Sequence, residues 1–341
     1  MRTADALDQF WADDPGTIRA FLKVQPHYEK LAEEAAYVLE KNVQTSNIEY
    51  SAVTSRAKTV DSFCEKLTRK TYKDPLTEIT DIAGVRVVFL YPKDRPQLET
   101  IIEKEFHVVE KVDKVDDEQS DRFGYGALHY LVKLNKNASG ARYDDLKGLV
   151  CEIQVRTILQ DAWAIVAHHL SYKQESDVPK QLRRKLNALS GQFMLTDNLF
   201  DQLRDEQLRY KDTLRTQISE READFLKNTI NADNLVEFLN WRLPDREPPT
   251  VRGAGVLRLL LKENGYTTLS ALDTLWRRTH EAVKAYETKY PIVDPKTGGP
   301  TRRSQMGAIA IALYIIDGKT YPYRGKQLED RTKEFRHLVK D

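Results

Sequence analysis

Hydrophobic and polar positions change period within one stretch, Leu149 to Lys173. Cys151, Ile153 and Val155 share one parity, and Glu152, Gln154 and Arg156 share the other. Period two predicts a strand with one apolar and one polar face. Beyond Thr157 the spacing becomes helical, with Ile158, Ala162 and Ile165 recurring and Trp163 beside them. Thr157 is a suitable N-cap. The strand thus carries an acid, an amide and a base on one face. That face is either the watered side of an antiparallel strand or part of a site.

Other elements follow from the same reasoning. Residues Thr17 to Val43 read as a helix with Tyr28, Leu31, Ala35, Val38 and Leu39 on one face, broken or started at Pro26. Ile48 to Val53 reads as a short strand, and a helix starts at Thr59 or Asp61 and carries Phe63 and Leu67. Val85 to Leu90, Asp94 to Glu105 and Phe106 to Val112 read as strand, helix and strand. Ala127 to Val132 is a further strand. Pro179 to Leu214 is a long helical region whose Leu182, Leu186, Leu189 and Phe193 are spaced for a core-facing or a coiled seam, core packing being the preferred reading. The prolines and glycines of Leu243 to Gly255 mark a break. Helices at Val256–Lys262, Leu269–Tyr286 and Met306–Ile316 then form a compact module. The expected domains are 1–218, with an α+β core, and 219–341, all helical.

Composition narrows the class. Lys+Arg is 53 and Asp+Glu is 52 in 341 residues, which argues against bulk electrostatic binding of nucleic acid. Two cysteines, Cys64 and Cys151, are too few for a cysteine-based zinc site and fit a reducing cytoplasm. No apolar run at the start is flanked by positive charge, and Ala308 to Ile316 is too short to span a bilayer. The expectation is a cytoplasmic protein with no membrane partner.

Candidate chemistry is spread over four segments. Arg56 and Lys58 are expected in a turn, with Lys66, Arg69 and Lys70 on the helix after it. Such a cluster suits a polyphosphate or is a solvated charge run. Asp81 and Arg86 bracket Gly84, which permits close backbone approach. Tyr125 lies between Gly124 and Gly126, placed either to stack on a base or to pack in a turn, with His129 following. Glu152 and its neighbours complete the set.

Taken in order, these segments resemble the synthetase domain of the RelA/SpoT family, over roughly Ser51 to Lys173. Ser55-Arg56-Ala57-Lys58 with Ser62 and Lys66 is similar to the family's G-R-x-K…S…K segment. Asp81 to Arg86 resembles D-I-A-G-x-R, and Gly124-Tyr125 with Ala127-Leu128-His129 resembles G-Y-R-S-x-H. Glu152 to Thr157, Trp163-Ala164, His168 and Tyr172-Lys173 resemble E-I-Q-x-R-T…W-A…E-H…Y-K.

The resemblance implies an α+β fold with a mixed β-sheet flanked by helices, similar to nucleotidyltransferases. It implies transfer of pyrophosphate from ATP to the 3′-hydroxyl of GDP or GTP, making (p)ppGpp. Asp81 would hold Mg²⁺, and Glu152 would complete the metal site or orient the attacking hydroxyl. Arg56, Lys58, Ser62, Lys66 and Arg86 would bind ATP. Tyr125, His129, Gln154 and Arg156 would face the acceptor.

Departures fall on the acceptor side. Asp121 stands where the family often has Lys, Phe123 where it has Asn or Ser, Gly126 for Arg, Ala127 for Ser, and Ala167 for Glu. A toxin-type relative that pyrophosphorylates the tRNA 3′ end or adenine nucleotides is therefore an alternative, as is a non-catalytic nucleotide sensor. The chain contains no His-Asp dipeptide, so alarmone hydrolysis is not expected. Residues 219–341 match no recognised pattern, and regulation, neutralisation of the core or homo-oligomer formation are the roles open to them.

Overall fold

The alternating segments pair into one mixed sheet. The computed structural model describes residues 3–113, 126–170, 179–293, 298–317 and 326–340. It divides into two compact units, Met1–Leu203 and Arg204–Asp341.

The first unit opens with helices α1 (Thr3–Asp13) and α2 (Pro15–Thr45), then strand β1 (Tyr50–Ala57) and helix α3 (Val60–Arg69). A single turn, α4 (Pro75–Glu78), precedes β2 (Ala83–Phe89), α5 (Arg95–Glu105), β3 (Phe106–Asp113), β4 (Leu128–Leu134), β5 (Cys151–Thr157) and α6 (Ile158–Leu170). Helix α7 (Lys180–Glu220) contributes its residues up to Leu203. The five strands run in the order β1-β2-β5-β4-β3. β2 and β5 are parallel, and the other neighbours are antiparallel.

Register gives the sheet two unlike faces. Ala83 pairs with Cys151, Val85 with Ile153 and Val87 with Val155, while Tyr130 sits opposite Ile153. These residues are buried with Leu31, Ala35 and Leu39 of α2 and Leu98 and Ile102 of α5. On the other parity, Arg56 pairs with Gly84, Gly84 with Glu152, Arg86 with Gln154, and His129 with Gln154. The polar face of β5 is therefore continuous with polar positions on three neighbouring strands.

Several expectations change. Helix α2 runs through Pro26 rather than breaking there. Pro26 cannot donate to the Leu22 carbonyl, and both residues lie on the exposed side of the helix while Phe21, Tyr28 and Leu31 stay buried. Arg56 lies in β1, not in a turn, because the edge strand continues to Ala57 against β2. Leu182 and Leu189 are 51% and 44% exposed, so their spacing marks no core seam. Among the described residues, the buried positions of α7 up to Leu203 are Ser190, Asp197 and Asp201.

Thr157 joins the sheet to two helices. Its Oγ1 accepts from the Gln160 N–H at 3.1 Å, and the Gln160 side chain accepts from the Thr157 N–H at 2.8 Å. This reciprocal pair is a capping box, and it fixes where α6 starts. The same Oγ1 donates to Asp197 Oδ2 of α7 at 2.6 Å.

The second unit holds the rest of α7, then α8 (Glu222–Leu226), α9 (Ala232–Arg242), α10 (Val251–Glu263) and α11 (Leu269–Lys289). A two-stranded pair, β6 (Ile292–Val293) and β7 (Pro300–Thr301), precedes α12 (Gln305–Asp317) and α13 (Lys326–Lys333). Leu235, Phe238, Leu257, Leu261, Leu272, Val283, Ile309 and Leu313 build its core. Thr250 and Thr268 cap α10 and α11, and Gly265, at φ +82°, turns the chain between them. Arg246 grips Glu287 with two bonds of 2.7 and 2.8 Å, tying the proline-rich break to α11. Among the described residues, no helix is long and apolar enough to cross a membrane.

Candidate active site

The polar sheet face opens into a cavity of about 270 Å³ lined by Thr54, Ser55, Arg56, Gly84, Val85, Arg86, Glu152 and Gln154. Strand pairing accounts for this lining, since Arg56, Gly84 and Glu152 lie side by side across β1, β2 and β5. A methyl group on Gly84 would meet the Arg56 side chain at 3.7 Å and the Glu152 carbonyl at 3.9 Å. The bare glycine leaves that space to the cavity.

Glu152 is held from both sides. His129 Nδ1 lies 2.8 Å from its Oε1, and Gln154 Nε2 donates to Oε2 at 2.8 Å. Burial pushes the Glu152 carboxyl up, but these hydrogen bonds and the His129 charge more than reverse it, so it sits below the usual carboxylate range. The nearby Asp81 charge opposes that lowering. On the opposite sheet face, burial and Glu152 push the Cys151 thiol up to about 12, which leaves it unreactive.

Asp81 lies just before β2 and is clamped by lysines. Lys58 Nζ is 3.0 Å from Oδ2, and Lys66 Nζ is 2.7 Å from Oδ1. Burial raises the Asp81 carboxyl, and the two ammonium groups outweigh it and hold it below its ordinary value. Ser62 sits in the first turn of α3, where its N–H donates to the capping Thr59 hydroxyl at 3.3 Å.

A third carboxylate was not singled out from sequence. Asp161, in the first turn of α6, accepts from Arg86 Nη1 at 3.0 Å and from Arg156 Nη1 at 3.4 Å, both on Oδ1. Burial and the neighbouring Arg86 draw Arg156 below its ordinary value, against the pull of Asp161. The Nε atoms of Arg86 and Arg156 are buried and find no hydrogen-bond partner among the described residues. The available signal was an acid one turn beyond the Thr157 cap, but sequence does not show which cations it meets.

The structure thus brings Arg56, Arg86, Glu152 and Gln154 to one cavity. It sets His129 against Glu152, Lys58 and Lys66 against Asp81, and Arg156 against Arg86 through Asp161. Tyr125, Asp121 and Phe123 lie outside the described residues.

The donor set also bears on a metal. Two ionised carboxylates are hard ligands of the kind Mg²⁺ takes when phosphates and water supply the rest. Among the described residues, no group of three or more His, Cys, Asp or Glu side chains is placed to hold a metal. Asp81 and Glu152 therefore fit an ion that arrives with a nucleotide better than one held by protein alone.

Residues 55–177 match the family described as a region found in RelA / SpoT proteins. The GTP pyrophosphokinase YwaC of Bacillus subtilis (strain 168) is 33% identical over 138 residues, covering 39% of this chain and 63% of that protein. The GTP pyrophosphokinase YjbM of the same organism is 30% identical over 160 residues, covering 45% of this chain and 72% of that protein. A crystal structure of small alarmone synthetase 1 from Bacillus subtilis bound to its product pppGpp superimposes with a TM-score of 0.47 at 24% identity, covering 55% of this chain and 98% of that one. The chain belongs to the RelA/SpoT family.

Proposed function

We propose that the protein is an ATP-dependent pyrophosphokinase that transfers pyrophosphate from ATP to the 3′-hydroxyl of GDP or GTP. The observation that carries this reading is the cavity where Arg56, Arg86, Glu152 and Gln154 meet on one sheet face. Family membership and the relatives named GTP pyrophosphokinase support it.

In the reaction the 3′-oxygen attacks the β-phosphorus of ATP. The bond from that phosphorus to the α,β-bridging oxygen breaks, and AMP leaves with the electron pair. The hydroxyl proton passes from the attacking oxygen to solvent water. Charge builds on the phosphoryl oxygens, so fixed cations do most of the work. Arg56 and Arg86 meet the ATP phosphates from the sheet, and Lys58, Lys66 and Ser62 meet them from the start of α3. With Lys58 and Lys66 turned to phosphate, Asp81 and Glu152 would be the residues to hold Mg²⁺. The ion, when bound, neutralises phosphate charge. Glu152, held by His129 and Gln154, also accepts the hydrogen bond of the acceptor hydroxyl and aims its oxygen. Arg156 faces the acceptor nucleotide.

The test offers labelled ATP and Mg²⁺ with GDP, GTP, AMP and bulk tRNA in parallel. The expected products are a 3′-pyrophosphorylated guanine nucleotide and AMP in equal amounts. Asp81→Asn and Glu152→Gln each lower the rate by about 10²–10³-fold, the scale for removing one transition-state contact. The residues at Asp121 and Phe123 are the reason for the tRNA and AMP arms. Product only in one of those arms replaces the guanine reading, and nucleotide binding without turnover in any arm makes the protein a sensor.

A further inference from the structure

The catalytic reading above uses Arg86 and Arg156 on different substrates, yet one oxygen joins them. Asp161 Oδ1 receives Arg86 at 3.0 Å and Arg156 at 3.4 Å. The Asp161 side chain is 19% exposed, Arg156 12% and Arg86 31%, so the Arg156 side of this junction is the better shielded from water and salt. It is also held in place. Asp161 follows directly on Gln160, whose side chain and N–H both bond Thr157 and lock the first turn of α6 onto the end of β5. The Asp161 backbone is thereby fixed, so its carboxylate follows a departing arginine only as far as side-chain rotation allows.

We propose that Asp161 is a positioning residue that couples the two substrate sites, so that each nucleotide tightens the binding of the other. The proposal rests on the assignment of Arg86 to ATP and Arg156 to the acceptor.

The physical argument concerns one shared acceptor. With no nucleotide bound, Oδ1 divides its pull between two guanidinium groups that repel each other. The shorter contact goes to Arg86, and Arg156 is held loosely at the margin of a hydrogen bond. An ATP phosphate draws Arg86 toward the cavity it already lines. It also cancels the Arg86 charge that Arg156 feels. Oδ1 then belongs to Arg156, whose fork is ordered before the acceptor arrives. The ordering cost met by the first ligand is not met again by the second, which is positive coupling. The converse holds for the acceptor by linkage, with the same factor. The buried Nε donors of both arginines, unpartnered among the described residues, are the groups left to turn toward ligand.

The experiment measures binding without turnover. The full chain is titrated calorimetrically with α,β-methylene ATP and Mg²⁺, alone and with saturating GDP, and then with GDP, alone and with saturating analogue. The expected coupling is about 5-fold tighter binding in each direction, near the low end of the usual range of about 5–150-fold. In Asp161→Asn, which keeps the shape but not the charge, the ratio falls to within about 2-fold of one. Asp161→Glu restores the charge one methylene further out and recovers part of the ratio, which separates coupling from a folding defect. The ratio, not either single affinity, is the reading. A wild-type ratio of one, or a wild-type ratio retained in Asp161→Asn, overturns the proposal. If the wild type binds neither nucleotide, the pyrophosphokinase reading falls first and takes this inference with it.

Discussion

The hydroxyl of Thr157 joins β5 to α6 and α7, and replacing it with an isosteric methyl isolates that role. Thr157→Val keeps the volume of a side chain that is 2% exposed, so no cavity opens. It removes the acceptor of the Gln160 N–H and the donor to Asp197 Oδ2 at 2.6 Å. Loss of a threonine cap costs about 1 kcal/mol. Loss of a hydrogen bond to a charged group costs about 1.5–3 kcal/mol, toward the upper end when the group stays buried, as Asp197 does at 4% exposure. The Gln160 side chain still bonds the Thr157 N–H, so the cap is only half lost. The sum expected for the first unit is about 3 kcal/mol. At an m-value of about 2 kcal/mol/M, the urea midpoint falls by about 1.5 M. Hydrogen exchange of peptides covering β5 and α6, followed across a urea series in the full chain, reads this unit directly. Thr157→Ser keeps both hydrogen bonds and loses one buried methyl, which costs about 1 kcal/mol. If Thr157→Val shifts the midpoint no more than Thr157→Ser does, the hydroxyl is not the joint we describe.

Two further predictions concern pH and backbone conformation. The Asp81 and Glu152 carboxyls both sit below their ordinary values in the folded state. A depressed carboxyl contributes stability that is complete above the unfolded pKa, about 4, and is lost as pH falls through the folded value. Urea midpoints of the β5 peptides therefore decline from pH 5 to pH 3, and they decline less in Lys66→Met, where Asp81 keeps only Lys58. An equal decline in the two proteins would show that the Lys66 contact at 2.7 Å contributes nothing to that stability. In the second unit, Gly265→Ala forces a side chain into φ +82° at the α10–α11 turn and costs about 1 kcal/mol or more, measured as a lower midpoint for peptides of α10 and α11.

Much of the sheet was legible because alternation states its own period. The bounds of β2, β3 and β5 fall within two residues of those read from sequence, and the Thr157 cap is where the period changes. What local pattern cannot carry is register. The strand order β1-β2-β5-β4-β3 is fixed by pairings between distant segments. Those pairings place Arg56 beside Gly84 and Glu152. The polar end of β1 looked like a turn because an edge strand needs no apolar residues where one side faces solvent. Leu182 and Leu189 misled in the opposite sense, since helical spacing of leucines shows that they share a face and not that the face is covered.

Asp161 escaped notice for the same reason, and its environment changes how the site's charge is understood. Three carboxylates in the site are each held by two donors. Asp81 has Lys58 and Lys66, Glu152 has His129 and Gln154, and Asp161 has Arg86 and Arg156. Asp81, Glu152 and Asp161 thus offset three of the five positive charges of Arg56, Lys58, Lys66, Arg86 and Arg156, and the site keeps a modest positive excess before any nucleotide binds. A row of bare cations would attract any polyanion. Cations already paired with carboxylates yield only to a ligand that offers phosphate to several of them at once, because each released carboxylate must find a new counter-charge. Under the proposed function that counter-charge would be, for Asp81, the ion that travels with ATP and, for Asp161, the arginine that remains. Under that same function the carboxylates would favour a metal-bearing polyphosphate over a simple anion.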